Sequence, residues 1–431
     1  MNAAILVILF LVLLFIGMPI AYDLGMVSLT GILLLGNIPV ITVSQKMFSG
    51  LNSFILLAVP LFILAANLMN RGQISEQLIQ VAVAMVGRFR GGLGHANVLV
   101  SMIFAGISGS SQADTAGIGK ILIPAMEDNG YSKEEAVGVT AASSTIGVII
   151  PPSIPMVIYG SLASVSVGAL FLGGMVPGIL IGLSQMGIVY LHAKKYNYPR
   201  SEAVSIGNII KMMIHYLPSL LTPVIIIGGV TFGIVTPTEA AAVACVYALF
   251  LGCVVFKTIK ISDLPEIFAE TITMTAQSLF ALATATALGQ LLSYYNVSRG
   301  VQNYFLEHDM NWMVFLIFVI LFFLFLGTFM DAIPAMTLFV PVLLPVAQSL
   351  GISPIHFGLV TVITLAIGLI TPPYGICLLI AGSISKLPIQ RSFAAVLPYM
   401  AAIVFVLLLV AFCPDFILYV PRVLKPDWFA I

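Results

Sequence analysis

The chain has 431 residues, 60% hydrophobic and 8% charged, with a mean hydropathy of +1.13, against about 25% charged in an ordinary soluble domain. That excludes a soluble globular protein, and 17 Lys plus Arg against 17 Asp plus Glu leave no extended basic surface for nucleic acid. Cys245, Cys253, Cys377 and Cys413 lie in apolar runs with no CxxC and no histidine pair, so neither a disulfide framework nor a zinc site is indicated.

At roughly 20 apolar residues per span, the length accommodates about ten to twelve membrane helices. Ala3 to Ile20 has no preceding basic residue and no cleavage site after it, and reads as a retained first span. Further apolar runs follow at 24–40, 53–70, 134–165, 168–191, 212–232, 237–256, 266–292, 357–384 and 393–413. Two others, 96–126 and 312–347, are interrupted by small and polar residues: Gly106 to Gly119 in the first, Gly327 to Pro334 in the second. Their arms are too short to cross twice but suit re-entrant helical hairpins, whose irregular tips must be buried in protein or line a wet cavity.

Sliding the chain on itself by 221 positions aligns Gly106, Pro124, Gly130, Gly147, Pro151 and Pro152 with Gly327, Pro345, Gly351, Gly368, Pro372 and Pro373. These residues set backbone geometry, so the match points to one unit used twice, over 1–195 and 210–415. Arg88, Arg90, Lys133, Lys194, Lys195, Arg200, Lys257, Lys260, Lys386 and Arg391 can all be placed on one, cytoplasmic, side. That count puts the mouth of the second hairpin, with His308 and Ser353, on the opposite side and makes the repeats inverted. It requires 75–90 and 298–311 to lie along the interface as arms; Lys46, Arg422 and Lys425 fit it poorly.

Each repeat continues into a broken helix, 134–165 and 357–384, carrying Gly147 before Pro151-Pro152 and Gly368 before Pro372-Pro373. Paired prolines free carbonyls. With nearby Ser and Thr hydroxyls these are hard oxygen ligands suited to sodium, and half-helix N-termini suit a carboxylate; an inverted repeat of this kind is the plan of a secondary transporter. Asp331 falls on Ser110 at the same offset and is expected to be functional, by ligation or by fixing the tip. Asp114 could act in the site or cap the returning arm. Thr236-Pro-Thr-Glu239 and Ser132-Lys-Glu-Glu135 read as capping boxes, and Ser353-Pro354 as the start of the helix equivalent to the latter. The five histidines read as interfacial. Gly119-Lys120 lacks the Ser or Thr and the first Gly of a P-loop, so no nucleotide is expected.

These residues resemble the large membrane subunit of the tripartite ATP-independent periplasmic (TRAP) transporters, most specifically in Ser108–Asp114, Ala141–Gly147 with Pro151-Pro-Ser153, Thr236–Ala242 and Gly368–Pro373. The resemblance implies an all-α polytopic protein of the bacterial inner membrane, with a scaffold and an elevator-type transport domain. It implies a sodium symporter, not an enzyme, that takes an organic acid from a periplasmic binding protein and works with a small four-helix membrane subunit, here expected as a separate polypeptide. Carried onto this chain, it puts one sodium site among Ser108, Ser110, Ser144, Thr145 and Gly147. A second falls among Gly327, Thr328, Asp331, Thr364, Gly368 and Thr371, with substrate near Ser110, Ser153 and Asp331. Ala113 to Gly119 looks more like sialic-acid and sugar-acid members than C4-dicarboxylate members. A sodium/carboxylate or ion transporter of the same plan that needs no binding protein is the alternative.

Overall fold

The computed structural model describes residues 2–200, 204–307 and 311–426, and among these there is helix and no strand. The chain opens with α1 (Asn2–Phe15), α2 (Ile20–Leu35), α3 (Ile41–Leu51), α4 (Ala58–Arg71) and α5 (Ile74–Val86). The first hairpin is α6 (Gly92–Ser108) and α7 (Ser111–Asp128); the first broken helix is α8 (Lys133–Ser144), a 3₁₀ turn (Thr145–Val148) and α9 (Ile154–Ala163). Then come α10 (Val167–Tyr196), α11 (Ile206–His215), α12 (Leu217–Thr231), α13 (Pro237–Phe250), α14 (Leu264–Tyr294) and α15 (Val297–Glu307). The second hairpin is α16 (Trp312–Gly327) and α17 (Ala332–Ser349), the second broken helix α18 (Pro354–Gly368) and α19 (Ile376–Ser385), followed by α20 (Ile389–Phe412) and α21 (Pro414–Leu424).

The 221-residue offset carries both ends of α7 onto both ends of α17, and the Pro151-Pro152 cis peptide onto that of Pro372-Pro373. Packing is reciprocal: α7 lies on α19 and α17 on α9. At one end Ser385 Oγ donates to Glu127 Oε1 (2.5 Å) and Lys133 Nζ to the Ser385 carbonyl (3.0 Å), so α19 finishes where α7 ends and α8 begins. At the other end Tyr159 Oη donates to the Pro354 carbonyl (2.6 Å), so α9 approaches its finish where α18 begins. The two broken helices therefore run in opposite directions, and the repeats are inverted. Lys194 shares the end with Lys133, because His192, two residues before it, pairs with Glu135. Ser353 is at the opposite end; His308, the other marker of that side, lies outside the described residues.

Several elements differ from expectation. Among the described residues six helices are individually long and apolar enough to cross a membrane, or seven if α11 and α12, bent by 65°, form one span. The ten to twelve runs counted in the sequence include hairpin arms and half-helices of 10–17 residues. The first apolar run does not form one helix: α1 stops at Phe15, and the chain turns at Gly17 (φ +89°) before Pro19 caps α2. Glycine reaches that left-handed angle without a Cβ penalty. Helices α3, α11 and α21 fall in or beside segments not read as helical.

The Thr236–Glu239 capping box is present in full, Thr236 Oγ1 accepting from Glu239 N and Glu239 Oε2 from Thr236 N. At Ser132 only half forms. Ser132 Oγ caps Glu135 N, but the Glu135 carboxylate turns inward to Tyr399 Oη (2.6 Å) and His192 Nδ1 (2.8 Å), where helix packing offers stronger partners than its own backbone. Ser353 makes no side-chain cap, although α18 starts at Pro354 as expected. Two of the histidines, His95 and His356, are buried near the starts of α6 and α18, the latter paired to the Val410 carbonyl (2.8 Å).

Candidate functional site at the hairpin tips

Tip and break are joined by backbone in both repeats. Ile154 N donates to the Gly109 carbonyl (3.3 Å) in the first, and Tyr374 N to the Thr328 carbonyl (2.8 Å) in the second. Gly109 has φ +60°, and a Cβ there would stand 2.8 Å from the Pro152 carbonyl oxygen, so only glycine fits the first tip. In the second repeat Gly327 and Gly368 meet backbone to backbone: a Cβ on Gly368 would lie 2.7 Å from Gly327 Cα. The glycines and prolines that repeat at the offset are thus those that let tips touch breaks.

The returning arms start with equivalent caps. Ser110 accepts from Ala113 N (3.4 Å) at the head of α7, and Asp331 accepts from Ala332 N (2.8 Å) at the head of α17. With Ser110 in that place, Asp114 is not the cap. Its side chain is fully buried: Oδ1 accepts from Ser108 Oγ, while Oδ2 has no hydrogen-bond partner and points at Gly147, where an added Cβ would stand 2.4 Å away. Asp114 therefore joins Ser108, Ser110 and Gly147 at the first junction, a place the expected ligand set left empty.

The other expected ligands surround the breaks. Ser144 Oγ donates to the Thr140 carbonyl (2.7 Å), Thr145 Oγ1 to Ala142 (2.6 Å), Thr364 Oγ1 to Val360 (2.7 Å), Thr371 Oγ1 to Ile367 (2.8 Å) and Thr328 Oγ1 to Phe325 (2.7 Å). Each hydroxyl proton is directed back along its own helix, leaving oxygen lone pairs for a cation. Ser153 is different. Its hydroxyl donates to the Val148 carbonyl (2.6 Å) and accepts from Met156 N (3.2 Å), it is fully buried, and it lines neither cavity described below. It shapes the turn into α9. Among the described residues no group of three His, Cys, Asp or Glu side chains could hold a transition metal.

All four pieces converge on one small cavity of about 120 Å³, lined by Gly109 to Gln112 of the first tip, Val148 and Ile154 of the first break, Asp331 to Ile333 of the second tip, and Leu369 of the second break. Its remaining wall comes chiefly from α14, through Met274, Gln277 and Ser278. A larger cavity of about 820 Å³ shares Gln112, Gln277, Ser278, Asp331 and Ile333 with it and adds Tyr22, Phe329 and Tyr374, within the range of about 300–1,000 Å³ usual for small-molecule sites. Ser110 and Asp331 are thus brought together as expected. Gln112, Gln277, Ser278 and Tyr374 were not foreseen, although uncharged polar residues in the middle of the 266–292 apolar run were a visible signal for two of them.

Residues 7–416 match the family model described as the DctM component of the tripartite ATP-independent periplasmic transporter. The chain belongs to this family. It is 40% identical to the sialic acid TRAP transporter large permease protein SiaM of Vibrio cholerae, over 95% of this chain and 96% of that one. It is 34% identical to the C4-dicarboxylate TRAP transporter large permease protein DctM of Rhodobacter capsulatus, over 98% and 100%. The YdaH transporter of Alcanivorax borkumensis shares the fold, with a TM-score of 0.58 at 14% identity over 87% of this chain and 88% of that one. The chain is accordingly a multi-pass permease of the bacterial inner membrane and a transporter of organic acids. TRAP large permeases work with a small membrane subunit and a periplasmic binding protein.

Proposed function

We propose that this TRAP permease couples sodium entry to uptake of an organic acid delivered by the binding protein, with sialic acid or another sugar acid favoured and a C4-dicarboxylate next. The observation that carries the reading is Asp114 Oδ2, buried without a partner against Gly147 where the first tip meets the first break. A lone carboxylate inside a membrane protein is tolerated only with a proton or a cation, and the oxygens freed at a helix break favour sodium. Asp114 with Ser108, Ser110, Ser144, Thr145 and Gly147 would hold one ion; Gly327, Thr328, Asp331, Thr364, Gly368 and Thr371 would hold another.

The substrate occupies the cavity between the two tips, beside Ser110 and Asp331. Sodium at Asp331 cancels a charge that would otherwise repel an anion. Hairpins and broken helices move together as an elevator-type transport domain against a scaffold built on α14, which packs on α2, α3 and α4. The test is uptake into proteoliposomes holding both membrane subunits, with binding protein outside. An inward sodium gradient should drive accumulation without ATP, and uptake undiminished when potassium replaces sodium on both sides would refute the coupling.

A further inference from the structure

Helix α14 runs unbroken for 31 residues and carries Gln277 and Ser278 near its middle. Both line the small and the large cavity. Among the described residues neither side chain hydrogen-bonds to another protein group, and the same holds for Gln112 at the head of α7. Gln277 is exposed and Ser278 and Gln112 are half-buried, so all three present uncommitted donors and acceptors to the cavity. These three polar groups are therefore placed for something that enters the cavity.

The character of that wall restricts what it can read. Among the described residues no Lys, Arg or His lines either cavity, and Asp331 is the one carboxylate there. A substrate with a second carboxylate would bring another negative charge beside Asp331 and find no cation to meet it. An amide, by contrast, offers two donors and an acceptor, and a serine one of each kind, which matches the hydroxyl and acylamino groups of a sugar acid. Sites built to hydrogen-bond such groups discriminate strongly against analogues lacking them, because the site's own polar atoms are then left unpaired.

We propose that Gln277 and Ser278 of α14, with Gln112 across the cavity, form a neutral hydrogen-bonding subsite that selects a polyhydroxylated monocarboxylate over a dicarboxylate. This rests on the organic-acid transport reading above and adds to it a specificity site whose chief residues, Gln277 and Ser278, stand on the scaffold helix across the cavity from the tips and breaks that would bind sodium. Because α14 also packs on α17, the subsite lies where scaffold and second hairpin meet, so it would contact substrate in this arrangement of the two and release it when they separate.

The test measures equilibrium binding of labelled N-acetylneuraminate to the purified complex of both membrane subunits in sodium, without the binding protein, so that the binding protein's selectivity does not enter. Unlabelled gluconate should displace the label and succinate should not. Gln277→Leu, similar in size but apolar, should raise Kd about 3- to 10-fold, the loss of one or two neutral hydrogen bonds. Gln277→Asn should recover part of it, which a merely structural role would not produce, and Ser278→Ala should cost less than Gln277→Leu. Displacement by succinate equal to that by gluconate would overturn the proposal. So would an unchanged Kd in both Gln277→Leu and Ser278→Ala, or no binding of N-acetylneuraminate and gluconate to the wild-type complex. A wild-type system with binding protein that takes up no organic acid would instead overturn the function on which the subsite rests.

Discussion

At the first hairpin the cap is a hydroxyl, Ser110, and a carboxylate four residues later, Asp114, is sealed against Gly147; at the second the cap is itself the carboxylate, Asp331, and the position equivalent to Asp114 is Ala335. The second carboxylate is half-buried and opens onto both cavities, whereas the first has no exposed surface. The two copies thus share a backbone plan and carry their negative charge at different positions. In this conformation the carboxylate of the first junction is closed off from the cavity and that of the second opens onto it. A cation at Asp114 would be enclosed, and one at Asp331 would exchange with whatever fills the cavity.

The sharpest way to break the comparison is to test whether the junctions face opposite sides. Single cysteines at Lys133 and Ser353, in a background without the native four, should react with an impermeant thiol reagent from opposite faces of the membrane. Reaction from the same face would remove the inverted arrangement altogether. Next comes Gly368→Ala: its Cβ would stand 2.7 Å from backbone on Gly327, a clash that no side-chain rotation relieves. The expected cost is about 1–3 kcal/mol of overpacking, read as an uptake rate at least about 5-fold lower at equal membrane abundance. Normal uptake would mean the two glycines need not touch during transport.

The two carboxylates should then separate by degree. Asp114→Asn keeps the shape and one acceptor but removes the charge of an enclosed site, and charge-assisted bonds are worth about 1.5–3 kcal/mol, so the sodium concentration for half-activation should rise about 10- to 100-fold. Asp331→Asn, in a wetter site, should shift it in the same direction by less. The reverse ranking, from sodium titrations of uptake, would show that the open junction holds the tighter ion. Ser110→Ala should have the smallest effect. It removes a cap worth about 0.5–2 kcal/mol and one neutral oxygen, and a shift larger than that of Asp331→Asn would make Ser110 a principal ligand.

Much of this was legible in the sequence because the decisive signals are backbone signals. Gly147, Pro151 and Pro152 recur as Gly368, Pro372 and Pro373, and the structure turns them into two matching breaks. Thr236 and Glu239 close their box locally, within one helical turn, as the spacing requires. Span counting was less successful, since hydropathy registers apolar length and is blind to whether a run crosses, turns back at a tip or stops at a turn such as Gly17.

Composition, the 221-residue repeat and the paired prolines by themselves determined the class of protein, its two hairpins, its two breaks and the meeting of Ser110 with Asp331, because each follows from local backbone chemistry or from the symmetry of a repeat. Tertiary structure alone decided the rest. Asp114 could serve as cap or as ligand until the position of Gly147 showed which way its carboxylate points. Glu135 had a partner within its own turn and took Tyr399 and His192 instead, residues distant in the chain. Gln277 and Ser278 became part of the site because α14 passes in front of both tips. In each case the free energy depends on which groups share a buried space, and that is set by how helices from different parts of the chain pack together.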